Sequence, residues 1–149
     1  MIDAYLEDYV PGETYEIGSE TLTEPELVDF AQRYDPQYIH IDKAAAEAGP
    51  FKGLIASGWQ TCGLTMRLLV DNYISHVATL ASPGVDELRW HLPVRAGDVL
   101  RVRVRVLESR RSQSKPDRGI VKSFVETLNQ RDEVVMSFIA IGMFAARPS

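Results

Sequence analysis

The stretch Gly58-Trp-Gln-Thr-Cys-Gly-Leu-Thr-Met-Arg-Leu-Leu-Val-Asp-Asn-Tyr73 predicts a long helix. Its apolar residues are spread around much of the helical circumference, which is typical of a helix that is mostly buried. Ser57 is suited to cap the first turn, because a serine hydroxyl can accept a hydrogen bond from a free backbone N–H there. We therefore expect this helix to run through the protein core.

The residues after this helix predict antiparallel strands. From Val85 onward the hydrophobic period is two, and within residues 99–107 arginines alternate with valines, as expected for a half-buried strand. A polar loop over residues 109–118 and a tight turn over residues 129–132 separate this strand from two more, over residues 119–128 and 133–146. A long helix followed by such a sheet predicts an α+β fold in which the sheet curls around the helix.

The residues before the helix predict a strand over residues 11–22 and a helix from Thr23 to about Tyr34. Pro36 disfavours a helical conformation at Asp35, so residues 35–41 are predicted to form a loop. Asp42 can then cap a short helix over residues 43–48. The chain thus places a bend between two helices directly ahead of the predicted central helix.

Length and composition limit the function classes. The 149 residues predict a single domain over residues 1–149, and the formal net charge of −5 argues against general nucleic-acid binding. The acidic N-terminus does not resemble a signal peptide, and no apolar run reaches the ~18 residues needed to span a bilayer. We expect a cytoplasmic protein with no membrane or nucleic-acid partner. Cys62, the one cysteine, is expected to be a small buried side chain.

The most informative segment is Phe30-Ala-Gln-Arg-Tyr-Asp-Pro-Gln-Tyr-Ile-His-Ile-Asp42, followed by Phe51-Lys-Gly-Leu-Ile-Ala-Ser-Gly-Trp-Gln-Thr61. It resembles the MaoC-like, or R-specific enoyl-CoA hydratase, family. That family has an Asp, an Ile/Leu-His five residues later, an acidic residue, an Ala-rich helix and a Gly-x-Ile/Val-Ala-[His/Ser]-Gly stretch. The Pro93-Val-x-x-Gly97-Asp98 turn is also similar. In many members Asn-Pro precedes the Ile/Leu-His, whereas this chain has Gln-Tyr there.

The resemblance implies a hotdog fold, a homodimer or higher homo-oligomer, and hydro-lyase activity on an acyl thioester. It implies that Asp35 and His40 activate a water molecule, while the backbone N–H of Gly58 polarises the thioester carbonyl. Ser57, Trp59 and Tyr38 are predicted to contact the substrate. No metal and no organic cofactor are expected, and coenzyme A enters only as part of the substrate.

The chemistry of hydration independently suits these residue types. Adding water to an enoyl thioester needs a base, an acid and a donor that stabilises the enolate oxygen. An imidazole beside a carboxylate can supply the first two, and the N-terminus of a helix offers free N–H donors. The sequence does not decide which residue of the pair is the base.

Other interpretations remain open at this point. Asp35 can be only a turn residue before proline, and His40 can be a core or surface histidine. A hotdog thioesterase is one alternative, although its carboxylate usually lies on the central helix, where this chain has only Asp71 near the far end. A non-catalytic acyl-binding domain is the other. Arg110 and Arg111 are read either as a solvated hairpin tip or as contacts to the phosphates of coenzyme A.

Overall fold

Residues 3–149, which a computed structural model describes, form four α-helices, a short 3-10 helix (Leu6–Asp8) and five strands. The helices are α1 (Glu24–Tyr34), α2 (Tyr38–Ile41), α3 (Lys43–Ala48) and α4 (Gly58–Asn72). The strands are β1 (Thr14–Thr21), β2 (Thr79–Trp90), β3 (Val99–Arg111), β4 (Arg118–Leu128) and β5 (Val134–Ala145). Residues 1 and 2, part of the acidic N-terminal segment discussed above, lie outside the described residues.

The strands form one antiparallel sheet in the order β1-β3-β4-β5-β2. The strands β3, β4 and β5 are joined as consecutive hairpins, as the sequence predicts. The strands β1 and β2 form the two edges, so residues 91–98 must carry the chain across the sheet from β2 to β3.

The helix α4 packs against strands from across the sheet. The hydroxyl of Thr65 lies 2.6 Å from that of Thr127 in β4, and Cys62 Sγ lies 3.5 Å from Met136 Sδ in β5. In β1, a Cβ at Gly18 would meet the Leu68 side chain at 2.6 Å, so the strand approaches the helix closely. Since the helix touches such widely spaced strands, the sheet curves around it, and the predicted arrangement is confirmed.

The alternating strand β3 behaves as expected. Its valines at positions 102, 104 and 106 are almost fully buried. Its arginines face outward, where Arg101 pairs with Asp132 and Arg103 with Glu126 at 2.7 and 2.9 Å. Burial of the valine face stabilises the sheet against α4, because the removal of apolar surface from water drives packing.

Three predicted boundaries differ from the structure. Residues 38–41 are not loop but one helical turn, since Pro36 blocks a helix only at the residue before it and the chain turns again after Gln37. The strand β2 begins at Thr79 rather than near Val85, because Pro83 and three irregularities in its pairing with β5 break the alternation. The polar loop shrinks to residues 112–117, since Arg110 and Arg111 still pair across the β3–β4 hairpin.

The prediction that α4 is mostly buried is wrong on one side. Trp59, Met66 and Val70 are 60, 48 and 38% exposed. These side chains are only partly covered, by β2 among other elements, whereas the opposite side of the helix packs on the sheet. Within residues 3–149, none of the helices combines the length and apolar character needed to cross a membrane.

Candidate active site

The bend between α1 and α2 positions the predicted carboxylate and imidazole. Asp35 ends α1 by donating its N–H to the Ala31 carbonyl at 2.8 Å, and its own carbonyl accepts the Gln37 N–H at the same distance. The His40 N–H donates to the Gln37 carbonyl at 2.9 Å, which sets the single turn of α2. This compact chain reversal, made possible by Pro36, directs both side chains to one place.

Asp35 and His40 are in direct contact. His40 Nε2 lies 3.3 Å from Asp35 Oδ2, and the His40 side chain is 6% exposed. The other ring nitrogen, Nδ1, lies 2.7 Å from the Ile55 carbonyl oxygen. Since a carbonyl oxygen can only accept, Nδ1 carries a proton and donates it to Ile55. This bond fixes both the orientation of the ring and its tautomer.

The tautomer of His40 determines what can bind at the contact between the two side chains. In neutral His40, Nε2 is an acceptor that faces an acceptor oxygen of Asp35. Two acceptors 3.3 Å apart need a shared proton or a donor that lies beside the contact, and a water molecule there offers one O–H to each. The geometry therefore suits a water held jointly by the carboxylate and the imidazole.

Two further hydrogen bonds hold the Asp35 carboxylate. Gln37 Nε2 donates to Oδ1 at 2.7 Å, and Ser57 Oγ donates to Oδ2 at 2.8 Å. The bonds from Gln37 and Ser57, together with the adjacent His40, hold the pKa of Asp35 below its ordinary value, although partial burial opposes them. The carboxylate is therefore ionised at neutral pH and able to accept a proton from water.

Ser57 connects the pair to the start of α4. Its oxygens accept hydrogen bonds from three N–H groups of the first turn, those of Trp59, Gln60 and Thr61. The remaining donor is the N–H of Gly58, which has no acceptor among residues 3–149. A free N–H at the N-terminus of a helix combines an unsatisfied donor with the positive end of the helix dipole. It can stabilise a developing negative charge on an oxygen.

The absence of a side chain at Gly58 has a reason that the sequence did not reveal. A Cβ there would lie 2.3 Å from Trp90 Cε2 and 2.6 Å from Trp90 Nε1. The indole packs on this glycine and donates Nε1–H to its carbonyl oxygen at 3.0 Å. The glycine is thus required by Trp90, and not only by an approaching substrate.

A cleft of about 270 Å³ opens beside the site. His40 and Gly58 line it, whereas Asp35 and Ser57 do not line it but contact residues that do. Its remaining walls are mostly apolar and are formed by Phe51, Ile55, Ala56, Thr61, Trp90, Leu92, Pro93, Val94 and Val135. The cleft therefore has a mostly apolar surface that carries one imidazole and one free backbone N–H.

Two of the predicted substrate contacts lie outside this cleft in the protomer. Tyr38 is 50% exposed at the start of α2, and its ring lies against Gly49. Trp59 is 60% exposed and meets Trp90 edge-on, with ring centroids 5.2 Å apart. Trp59 thus contacts a residue of the cleft wall without lining the cleft, and Tyr38 is not among the lining residues either.

Arg110 and Arg111 lie at the far end of β3 from the cleft. Arg110 pairs with Glu108 at 3.0 Å, and Arg111 pairs with Glu7 at 2.6 Å. The cleft lies near the opposite end of the sheet, where Trp90 ends β2. The structure does not bring these arginines to the cleft of their own protomer, so a contact with coenzyme A there would need a second subunit.

Several residues of the site were not identified from the sequence. Trp90 was missed because only the pairing of β2 with β5 brings it over Gly58, and a sequence does not reveal that register. Gln37 departs from the family pattern, but its residue type alone does not predict the hydrogen bond to Asp35. The bond of His40 to the Ile55 carbonyl could not be predicted, because every residue has a backbone carbonyl.

Four other polar residues are not part of the cleft lining: Asp42, Cys62, His76 and His91. Asp42 caps α3 by accepting the Ala45 N–H at 3.0 Å, as predicted. His76 Nε2 lies 2.7 Å from the Val70 carbonyl, and His91 Nε2 lies 2.7 Å from Ser137 Oγ. Cys62 is half-buried, and burial raises the pKa of its thiol. In the described range 3–149 there is no group of three or more potential metal ligands.

Comparisons with known proteins agree with this architecture. The family model of the MaoC-like domain matches residues 8–127. The 3-hydroxyacyl-thioester dehydratase Z of Mycobacterium tuberculosis is 34% identical over 109 residues, which is 72% of this chain and 70% of that protein.

Two solved structures are similar. The MaoC-like dehydratase from Rhodospirillum rubrum superposes with a TM-score of 0.90 at 38% identity, over 98% of this chain and 99% of that one. The R-hydratase PhaJ1 from Pseudomonas aeruginosa has a TM-score of 0.75 at 24% identity, over 98 and 88%. The expected hotdog fold is thereby confirmed. The family match and these likenesses together show that the chain belongs to the MaoC-like domain family.

Proposed function

We propose that this protein catalyses the reversible hydration of a 2-enoyl thioester to a 3-hydroxyacyl thioester, with coenzyme A as the thioester carrier. The observation that carries the proposal is the contact of His40 Nε2 with Asp35 Oδ2 at 3.3 Å. Ser57 binds the same carboxylate, and the next residue, Gly58, has a helix-start N–H with no acceptor in the described chain. Membership of a family whose relatives include a named 3-hydroxyacyl-thioester dehydratase supports it.

The water molecule in this proposal binds beside the Asp35–His40 contact, within hydrogen-bonding reach of both side chains. Its oxygen adds to the β-carbon while the pair takes one of its protons. The pair then delivers a proton to the α-carbon, so that one water is consumed and no net proton is released. Because the two groups are in contact, the base and acid roles belong to the pair rather than to one residue.

The thioester carbonyl in this proposal accepts the Gly58 N–H. Addition to the β-carbon moves negative charge onto that oxygen, and a fixed donor at a helix N-terminus favours the charge. The mostly apolar cleft keeps competing water away from the reacting carbons and strengthens the hydrogen bond. Ser57 orients both partners, since its hydroxyl binds Asp35 and its backbone precedes Gly58. No metal or organic cofactor takes part in this scheme.

A thioesterase is disfavoured by the position of the helix carboxylate. Asp71 lies at the far end of α4 and pairs with Arg67 at 2.8 Å on the exposed surface. It is therefore turned away from the cleft that Gly58 and Thr61 line. The start of α4 carries no carboxylate that could support hydrolysis of the thioester.

The test of the proposal is to mix the purified protein with crotonyl-CoA and to follow two signals. We expect the enoyl absorbance to fall while no free thiol appears, because hydration leaves the thioester intact. Release of thiol would show a thioesterase. Neither signal, with crotonyl-CoA and with longer 2-enoyl-CoA esters alike, would contradict the hydratase proposal and favour a binding domain.

The active form in this proposal is a cytoplasmic homodimer joined along β2, with the two sites near the interface. The strand is a sheet edge with free backbone groups, and such edges are normally covered. The strand and the neighbouring helix α4 carry several exposed apolar side chains: Trp59, Met66, Val70, Leu80, Val85 and Trp90. A surface of this kind marks an interaction site.

Sedimentation equilibrium tests the dimer. The Val85→Lys variant places a charge on the proposed interface, so we expect it to shift the protein to monomer. Leu107→Lys is the matched control, since Leu107 is similarly exposed at 39% but lies on β3, which has partners on both sides. A monomeric wild-type protein, or equal behaviour of the two variants, would contradict the proposed interface.

A further inference from the structure

An arginine lies at the mouth of the active-site cleft. The loop before α4 and the loop before β3 form that side of the cleft. Near the buried centre of the site, the Ala56 N–H donates to the Val94 carbonyl at 2.7 Å. Farther out, Arg95 Nη2 donates to the Phe51 carbonyl at 2.7 Å. Phe51 is 37% exposed, whereas Ala56 is 7% exposed, so the Arg95 guanidinium lies where the cleft meets solvent.

The positive charge of Arg95 is not neutralised within its own protomer. The guanidinium binds a neutral carbonyl, and no carboxylate of residues 3–149 forms an ion pair with it. Asp98 accepts the backbone N–H of Arg95 at 2.9 Å instead. Lys52, the residue after Phe51, is exposed and likewise forms no ion pair in this part of the chain. Because the formal net charge is −5, these two cations are a local feature and not part of a generally basic surface.

The guanidinium of Arg95 is held in place but keeps free donors. It lies against the loop at Gly53, where an added Cβ would be 3.3 Å from Nη1. A guanidinium carries five N–H donors in a rigid fork, and the Phe51 carbonyl uses one of them. The other N–H groups suit the oxygen atoms of a phosphate, which an arginine can bind with two parallel hydrogen bonds.

The distance from this guanidinium to the reacting groups suits the arm of a thioester carrier. Ile55, whose carbonyl holds His40, is four residues from Phe51. Four residues span at most about 14 Å even when fully extended, and the bond from Arg95 to Phe51 adds 2.7 Å. In coenzyme A and in acyl carrier protein, the pantetheine arm separates the thioester from the nearest phosphate. An extended arm bridges a distance of this order.

We propose that Arg95, assisted by Lys52, binds the phosphate at the end of the pantetheine arm and so anchors the carrier of the acyl thioester at the mouth of the cleft. The proposal rests on the proposed function, because it names the part of the substrate that the same site recognises. It assigns carrier binding to the protomer that holds the cleft, whereas Arg110 and Arg111 lie at the far end of β3. Arg95 touches no reacting atom and is a binding residue.

Calorimetry of the whole protein with three saturated ligands tests the proposal without turnover. Butyryl-CoA, butyryl-4′-phosphopantetheine and butyryl-pantetheine share the acyl group and the arm, and the last lacks phosphate. We expect Arg95→Gln to raise Kd for the first two by about 10-fold or more, and to change Kd for butyryl-pantetheine by less than about 2-fold. Arg105→Gln is the matched control, since it removes an exposed arginine without an ion pair in residues 3–149 from β3, and it should change no Kd.

A purely structural role of Arg95 predicts a different pattern. If the arginine only holds the two loops together, Arg95→Gln weakens all three ligands by the same factor, and that result would overturn the proposal. Lys52→Gln is the second variant, because the Lys52 side chain holds no loop. It should raise Kd for the two phosphate-bearing ligands by about 2- to 5-fold, and an unchanged Kd would contradict the part of Lys52 in the site.

A fourth ligand, the butyryl ester of phosphopantetheinylated acyl carrier protein, identifies the source of the phosphate. The carrier that wild type binds more tightly is the one the site serves, and Arg95→Gln must weaken that ligand for the proposal to stand. If Arg95→Gln acts as expected but no enoyl-CoA is hydrated, the phosphate site stands and the hydratase proposal fails. If crotonyl-CoA is hydrated but Arg95→Gln binds every ligand like wild type, the phosphate site is overturned and the hydratase proposal stands.

Discussion

The contact between Gly58 and Trp90 leads to a prediction that reverses the usual rule for glycine in a helix. Alanine is normally the better helix former, by up to about 1 kcal/mol. At Gly58 an added Cβ would lie 2.3 Å from the Trp90 ring, whereas carbon atoms in contact prefer about 3.5–4.0 Å. The indole must retreat by more than about 1 Å, and its hydrogen bond to the Gly58 carbonyl is then lost.

The size of the effect follows from these two losses. Overpacking costs about 1–3 kcal/mol and a neutral hydrogen bond contributes about 0.5–1.5 kcal/mol, against which the helix preference of alanine recovers up to about 1 kcal/mol. We expect Gly58→Ala to lower the free energy of unfolding by about 1–3 kcal/mol. In a Trp90→Ala background the clash is gone, so the same substitution should be neutral or stabilising. The coupling between the two sites should exceed about 1 kcal/mol.

Urea unfolding followed by far-ultraviolet circular dichroism measures these values. All variants are compared at one protein concentration, because association contributes to apparent stability. Gly63→Ala is the control within the same helix. Apart from its chain neighbours and the helix's own backbone, its added Cβ meets no atom within 4 Å, so the substitution should be neutral or stabilising. A stable Gly58→Ala protein, or additive effects of the two substitutions, would refute the argument.

Three further predictions concern Thr65, Asp35 and the arginine pair. Thr65→Val leaves the buried Thr127 hydroxyl without its partner and should lower the free energy of unfolding by about 1–3 kcal/mol. The double variant Thr65→Val/Thr127→Val should lose less stability, because no hydroxyl is left unpaired. An equal loss in the two variants would contradict this. The lowered folded-state pKa of Asp35 stabilises the fold above the unfolded carboxyl pKa of about 3.9, and this contribution is lost as the pH falls through the folded-state pKa. Asp35→Asn should therefore lose less stability than wild type on acidification in urea titrations, and a parallel pH dependence would count against it. Replacing Arg110 and Arg111 together by Ala should raise KM for a CoA thioester if the second subunit brings them to the cleft, and an unchanged KM excludes them from binding.

Much of the fold could be predicted because the sequence patterns are local. The alternation of arginine and valine in β3 indicates which face of the strand is buried, and Ser57 and Asp42 cap the helices where the sequence places them. The length of α4 was also predictable, but its exposed side was not. The edge strand β2 was predicted to begin too late. Its pairing is irregular and its residues are exposed, so no simple period exists there to be read.

The candidate site was predictable where one short segment carries it. Asp35 and His40 are separated by a bend whose geometry Pro36 restricts, so their contact follows from local chain properties. The role of Trp90 could not be predicted, since it depends on how β2 pairs with β5 and on how that edge lies over α4. Long-range register is a property of the packed sheet and not of any segment.

Activity of the pair variants tests the central claim most directly. The kcat for crotonyl-CoA hydration is measured near neutral pH for wild type, Asp35→Asn and His40→Asn, together with the Tm of each protein. The account predicts that each substitution lowers kcat by about 100- to 10,000-fold, the usual contribution of a positioned acid–base group, in a protein that remains folded. A folded variant that hydrates crotonyl-CoA at the wild-type rate would contradict the assignment of Asp35 and His40 as the groups that activate water.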